Sequence, residues 1–176
     1  MTENLVSISM KTSKLLIFIF FAQLFIFTPI LRANEKAINT VSSQDRCPVC
    51  GMFVAKYPNW LTQIHYDGSE QTHFFDGVKD MMAFYFNPEQ YEAPSREAIN
   101  YIFVKDYYTL NWFKAKDAFF VVGSDIYGPM GHELIPFESK GAADSFLKDH
   151  HGKKILTFGE ITPELINSLR VGQKMR

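Results

Sequence analysis

Between Trp60 and Tyr66 apolar residues recur at roughly every second position, the period of a strand with one buried face. Asp67-Gly68 then supplies a hairpin turn, and Glu70 to Phe75 reads as the return strand. At Asp76 the period changes. Val78, Met81, Met82 and Tyr85 stand at i, i+3, i+4 and i+7, one apolar stripe of a helix that Asp76 can cap and Asn87-Pro88 ends. On this spacing Met81 and Met82 are core residues. After a loop holding Pro94, Tyr101 to Val104 forms another strand.

The order then recurs. Ala118 to Val122 is a short apolar strand, Gly128-Pro129-Met130-Gly131 a loop, and His132 to Phe137 a strand. Ser139 opens a helix that buries Ala142, Ala143, Phe146 and Leu147, and Gly152 stops it. Lys154 to Phe158 is the closing strand. Thr162-Pro163 starts a last helix, with Thr162 as cap and Pro163 at the first helical position. Laying Phe75-Asp76 over Phe137-Glu138 brings Phe84 over Phe146 and Tyr85 over Leu147. The expectation is an α+β fold of two tandem strand-strand-helix-strand modules, 47–108 and 109–170, with a tail at 171–176.

The first 33 residues differ in kind. Lys11 and Lys14 precede an apolar run from Leu15 to Phe27 broken only by Gln23, and Leu31-Arg32-Ala33 fits a peptidase exit. That is the order of a secretory signal peptide. An uncleaved N-terminal anchor is the alternative, although Leu15 to Leu31 spans only about 26 Å as a helix, short of a hydrocarbon core of about 30 Å. Either way the chain is exported. Residues 34–46 are polar and read as a flexible leader, with the folded part starting near Cys47.

Composition narrows the classes. The chain has 176 residues, 47% of them hydrophobic, enough to bury a core without disorder. The 17 Phe and 8 Tyr make that core rich in rings. A net charge of -1, and no basic stretch interleaved with aromatics, argue against a nucleic-acid partner. With two cysteines a disulfide framework is excluded. No Ser/His/Asp order, phosphate loop or carboxylate pair suggests an enzyme.

The candidate chemistry lies in Cys47-Pro48-Val49-Cys50-Gly51-Met52. Thiolate and thioether ligands favour Cu(I), and a bound cation deprotonates a thiol outright. Gly51 lets the backbone turn so that Cys50 and Met52 can face one ion. Three other readings stay open. Cys47 and Cys50 can form a disulfide in an oxidising compartment. They can be half of a structural zinc site, completed only by His65, His73, His132, His150 or His151. They can be a thioredoxin-like redox pair, although Gly51 and Tyr57-Pro58 argue against the helix such a pair requires. Met52 alone would be a core methionine. Met130, off any periodic apolar face, is a packing residue or a copper contact. His73 reads as a satisfied strand histidine, and His150-His151 as helix-end residues suited to the dipole.

Cys-Pro-Val-Cys-Gly-Met followed by Phe74-Phe75-Asp76-Gly77 resembles the N-terminal half of NosL proteins. Asn111-Trp112, Lys116-Asp117-Ala118 with Phe119-Phe120-Val121, Gly128-Pro129-Met130-Gly131, and Ile135-Pro136-Phe137 before Ala142-Ala143 resemble the C-terminal half. The resemblance implies a copper(I) metallochaperone that supplies the copper-sulfur site of nitrous oxide reductase, outside the cytoplasmic membrane in the periplasm. It implies no catalysis, and a fold like the organomercurial lyase domain. It gives Cys50 and Met52 the copper-ligand role, with a nitrogen or oxygen donor as a further ligand and with Cys47 and Met130 as additional candidates. A thiol-dependent enzyme or thiol-disulfide protein using Cys47 and Cys50 is the alternative. Two features depart from the family pattern: the leader lacks a lipid-accepting cysteine, and His132 follows Gly131 where small residues are commoner.

Overall fold

The structure is a computed structural model, and it describes residues 36–69 and 71–171. These belong to one compact unit, Ala33–Arg176. The signal or anchor segment falls outside the described residues, and among those described no helix is long and apolar enough to cross a membrane.

Two antiparallel sheets organise the unit. In the first, β1 (Thr62–Tyr66) pairs with β2 (Thr72–Phe75) and β3 (Ile99–Lys105), and β4 (Trp112–Lys114) extends the edge beyond β3. In the second, β5 (Phe119–Gly128) lies between β6 (Gly131–Phe137) and β7 (Lys154–Thr157). Helix α1 (Val78–Phe86) follows β2, α2 (Lys140–Asp149) follows β6, and α3 (Pro163–Val171) closes the described chain. The first strand of each unit is central, flanked by its second and third, so both sheets share one order. The ring pairs also correspond: Phe75 meets Phe84 at 5.1 Å, and Phe137 meets Phe146 at 4.9 Å. All four rings are fully buried. Strand β4, beyond the expected 108/109 boundary, joins the first sheet.

Several local expectations shift for physical reasons. The expected alternation of β1 is absent, because every residue of it is buried. Its polar face is covered by the leader: the Gln63 side chain accepts from Ile38 N at 2.9 Å and donates to Ile38 O at 2.6 Å. The chain is therefore held from Ile38 onward, well before Cys47. His65, on the same face, bonds Gln63 Oε1 through Nε2 at 2.9 Å and stacks edge-on against Phe103.

Helix α1 is buried around its whole first two turns, Lys79 and Asp80 included. It packs on β1 and β2 and also on β6 and α3, so the face opposite the apolar stripe meets the second half of the protein rather than water. Asp76 does not cap it. Gly77 is the N-cap and offers no side chain, and Glu133 of β6 accepts from Lys79 N at 2.6 Å instead. The other two helices start as their sequences suggest, with Ser139 accepting from Ala142 N and Thr162 from Leu165 N.

Candidate metal centre

The Cys47–Met52 segment is a closed loop. An Arg46–Phe53 bridge forms its neck, Cys47 N donates to Met52 O at 2.9 Å, and Gly51 N donates to Cys47 O at 2.8 Å. Gly51 has φ 77°, the left-handed region where a Cβ costs energy. The Arg46 guanidinium tightens the neck: it donates to Gly51 O at 2.9 Å and lies 3.8 Å over the Phe53 ring. A short helical turn at Val54–Lys56 follows, rather than the long helix of a thioredoxin-like pair.

This loop docks at the start of α1, where two acidic side chains meet the thiols. One ligand atom each from Cys47, Cys50, Asp76 and Asp80 lies within 4.8 Å of the others. Cys50 Sγ, half-buried, donates to Asp76 Oδ1 at 3.3 Å. Cys47 Sγ, buried, makes a longer contact of 3.8 Å with Asp80 Oδ2. Both cysteines are free thiols. Asp76 is 1% exposed, yet its Oδ2 is buried with no hydrogen-bond partner. A buried oxygen of this kind costs free energy unless something cationic or protic meets it.

Burial and the closeness of the acidic groups set the local electrostatics. Hydrogen bonding to Cys50, then burial, then the charges of Asp76 and Asp80 push the Cys47 thiol far above the ordinary cysteine range. Burial raises the Asp80 carboxyl, opposed by its hydrogen bond with Cys50 and reinforced by the charge of Asp76. Two cations stand near. Burial lowers the Lys79 ammonium, while Glu133, Asp80 and Asp76 favour its charge, and Arg170 of α3 lies within electrostatic range of Asp80.

The two methionines occupy separate places. Met52 is half-buried at the end of the loop, its carbonyl accepting from Cys47 N. Met130 is half-buried in the turn between β5 and β6, where Gly128 pairs with Gly131. Pro129 and Met130 are thus the two residues of a tight hairpin, and Gly131 takes φ 85°. The Met130 carbonyl accepts from Lys79 Nζ at 2.7 Å, which ties the hairpin to α1 next to Asp80.

No histidine belongs to the donor cluster among the described residues. His132 packs on the Tyr127 ring, His150 bonds Asp125 at 3.1 Å, and His151 is exposed with φ 53°. Burial lowers the pKa of both His65 and His73. The donors that sequence reasoning missed are Asp76 and Asp80. Their i, i+4 spacing across a helix start was the available signal, since such a pair shares one face.

Comparisons with known proteins give the family. Residues 37–166 match the family model for NosL. A copper-binding lipoprotein NosL of Achromobacter cycloclastes is 32% identical over 149 residues, covering 76% of this chain and 74% of that protein. One from Stutzerimonas stutzeri is 28% identical over 131 residues, covering 69% and 64%. Among solved structures, the copper chaperone NosL from Shewanella denitrificans superposes with a TM-score of 0.65 at 26% identity, over 75% of this chain and 99% of that one.

Proposed function

The chain belongs to the NosL family, and from that premise we propose that it is an exported copper(I) chaperone serving nitrous oxide reductase. Cys50 and Met52 are the principal ligands, with Cys47 and Met130 as further sulfur donors and Asp76 as the oxygen donor. The relatives named as copper-binding lipoproteins and as a copper chaperone support copper as the cargo and the cell envelope as the location. Binding and release, rather than catalysis, is the activity.

The observation that carries the reading is the convergence of Cys50 and Asp76 Oδ2: a half-buried thiol beside a buried oxygen that lacks a partner. Thiolate formation requires loss of a proton, and Asp76 already accepts the Cys50 hydrogen. Sulfur donors make the site selective for a soft ion. Cys50 is half-buried and Gly51 exposed, so an acceptor's ligands can reach the ion before the donor's leave. That is what transfer requires. The four-donor grouping of two thiols and two carboxylates favours a second reading, a structural site for zinc.

Transfer is tested by incubating the Cu(I)-loaded protein with copper-free nitrous oxide reductase under reducing, anaerobic conditions. Copper recovered with the reductase after the two proteins are separated, and lost with Cys50→Ala, is the expected result. Retention of copper by the chaperone, with an equal or greater preference for zinc and folding that depends on it, would support the structural site instead.

A further inference from the structure

Glu133 and Lys79 form a buried polar bridge that the ligand set does not explain. Lys79 is fully buried and Glu133 is 3% exposed, an expensive placement for two ionisable groups. Their contacts run between the two halves of the fold. Glu133 of β6 accepts from the α1 backbone at Lys79 N, 2.6 Å, and from Leu134 N, 2.9 Å. Lys79 of α1 reaches the other way and donates Nζ to the carbonyl of Met130, 2.7 Å. The carboxylate lies against two glycines that give it room. A Cβ on Gly77 would fall 2.3 Å from Glu133 Oε2, and one on Gly128 would fall 3.1 Å from Glu133 Cγ. Gly77 follows Asp76 directly, and Gly128 begins the Met130 hairpin.

We propose that Glu133 and Lys79 are positioning residues for copper binding: together they clamp the Pro129-Met130 turn to the N-terminus of α1, and so bring Met130 to the thiol-carboxylate cluster. This rests on the reading of Met130 as a copper contact. Glu133 supplies the cap that α1 lacks at Gly77, which fixes the helix start carrying Asp76 and Asp80. Lys79, one residue from Asp80, fixes the backbone of Met130. A shift at either contact moves the thioether away from the cysteines although Met130 itself is still present. Residues that orient ligands cost about 10- to 100-fold in metal affinity when lost.

The test is a double-mutant cycle on the whole mature protein. Cu(I) affinity is read against a competing chelator, and copper-bound sulfurs are counted by X-ray absorption. Met130→Leu is expected to remove one sulfur and weaken binding. Glu133→Leu and Lys79→Leu should each do the same, by about tenfold, and neither should weaken Met130→Leu any further. Glu133→Gln, which keeps the acceptor for Lys79 N, should stay within about threefold of wild type. Should Glu133→Leu not fold, Lys79→Leu decides, because it leaves the Glu133 cap in place. Losses that add to that of Met130→Leu, or an unchanged sulfur count in Lys79→Leu, overturn the clamp. If Met130→Leu itself keeps every sulfur and full affinity, the ligand reading fails first and the clamp with it.

Discussion

Asp76 has two oxygens with different fates: one takes the Cys50 hydrogen, and the other is buried without a partner. In sequence the same residue looks like a helix cap, since Asp before an apolar stripe commonly is one. The difference arises because the cap role passes to Glu133, a residue 57 positions away in sequence that periodicity cannot connect to α1. Cys47, Cys50 and Met52 stand out in the sequence because three soft donors fall within six residues. Their carboxylate neighbours do not, because a single sequence does not show which acidic side chains are buried. At this scale the histidines give a prediction about pH. Burial lowers the pKa of His65 and His73 below the ordinary 6.5. The unfolded chain therefore binds protons below pH 6.5 that the folded chain refuses, and the histidines' contribution to stability falls as pH drops from 6.5 through the folded values, while Glu133, whose carboxyl burial raises to about 8, contributes in the opposite sense. Denaturant midpoints measured from pH 7.5 to 5.5 sum the two effects, and His65→Gln should shift their slope toward greater stability at the acid end. A slope unchanged by that substitution would mean His65 contributes nothing to it.

The elements carry the site through two turns. The Cys47–Met52 loop and the Gly128–Gly131 hairpin each end on a backbone that needs positive φ, at Gly51 and Gly131. For Gly51 the constraint is conformational, since no atom lies within 4 Å of where its Cβ would be. Gly51→Ala should destabilise by about 1–2 kcal/mol through left-handed strain and weaken copper binding. Gly51→Asn, a residue that tolerates this region, should cost less. Thermal unfolding of the metal-free variants separates the two, and equal costs would show that strain is not the issue. Element types were readable from period alone: the stripe of α1 and the packing face of α2 match the buried positions Met81, Met82, Ala143 and Phe146. What period alone does not show is the second face of α1. A face bearing Lys79 and Asp80 looks solvated, yet β6 and α3 cover it, and the metal-donor cluster is there.

At the scale of the molecule, two units of the same strand order share a continuous core. Buried residues of both sheets, among them Ile64 and Phe75 with Phe120 and Leu134, belong to one apolar cluster. Polar contacts cross the same boundary. Asp106, after β3, accepts from Glu138 N at 2.9 Å, and Tyr107 N donates to Pro136 O at 3.0 Å. The repeat was visible in sequence as a short overlay of Phe75 and Phe84 on Phe137 and Phe146. How the two units pack was not, because long-range pairing leaves no local period. The donor cluster comes from the first unit, and the clamp that frames it comes from both.

The central claim is that sulfur atoms on one short loop hold copper(I). It is tested most directly by anaerobic titration of the reduced protein with Cu(I) against a competing chelator, in parallel for wild type, Cys50→Ala and Met52→Ala. The account predicts sub-micromolar binding, of about 8 kcal/mol or more, abolished in Cys50→Ala and weakened in Met52→Ala. Undiminished binding in Cys50→Ala, or no competition by the wild type, would contradict it.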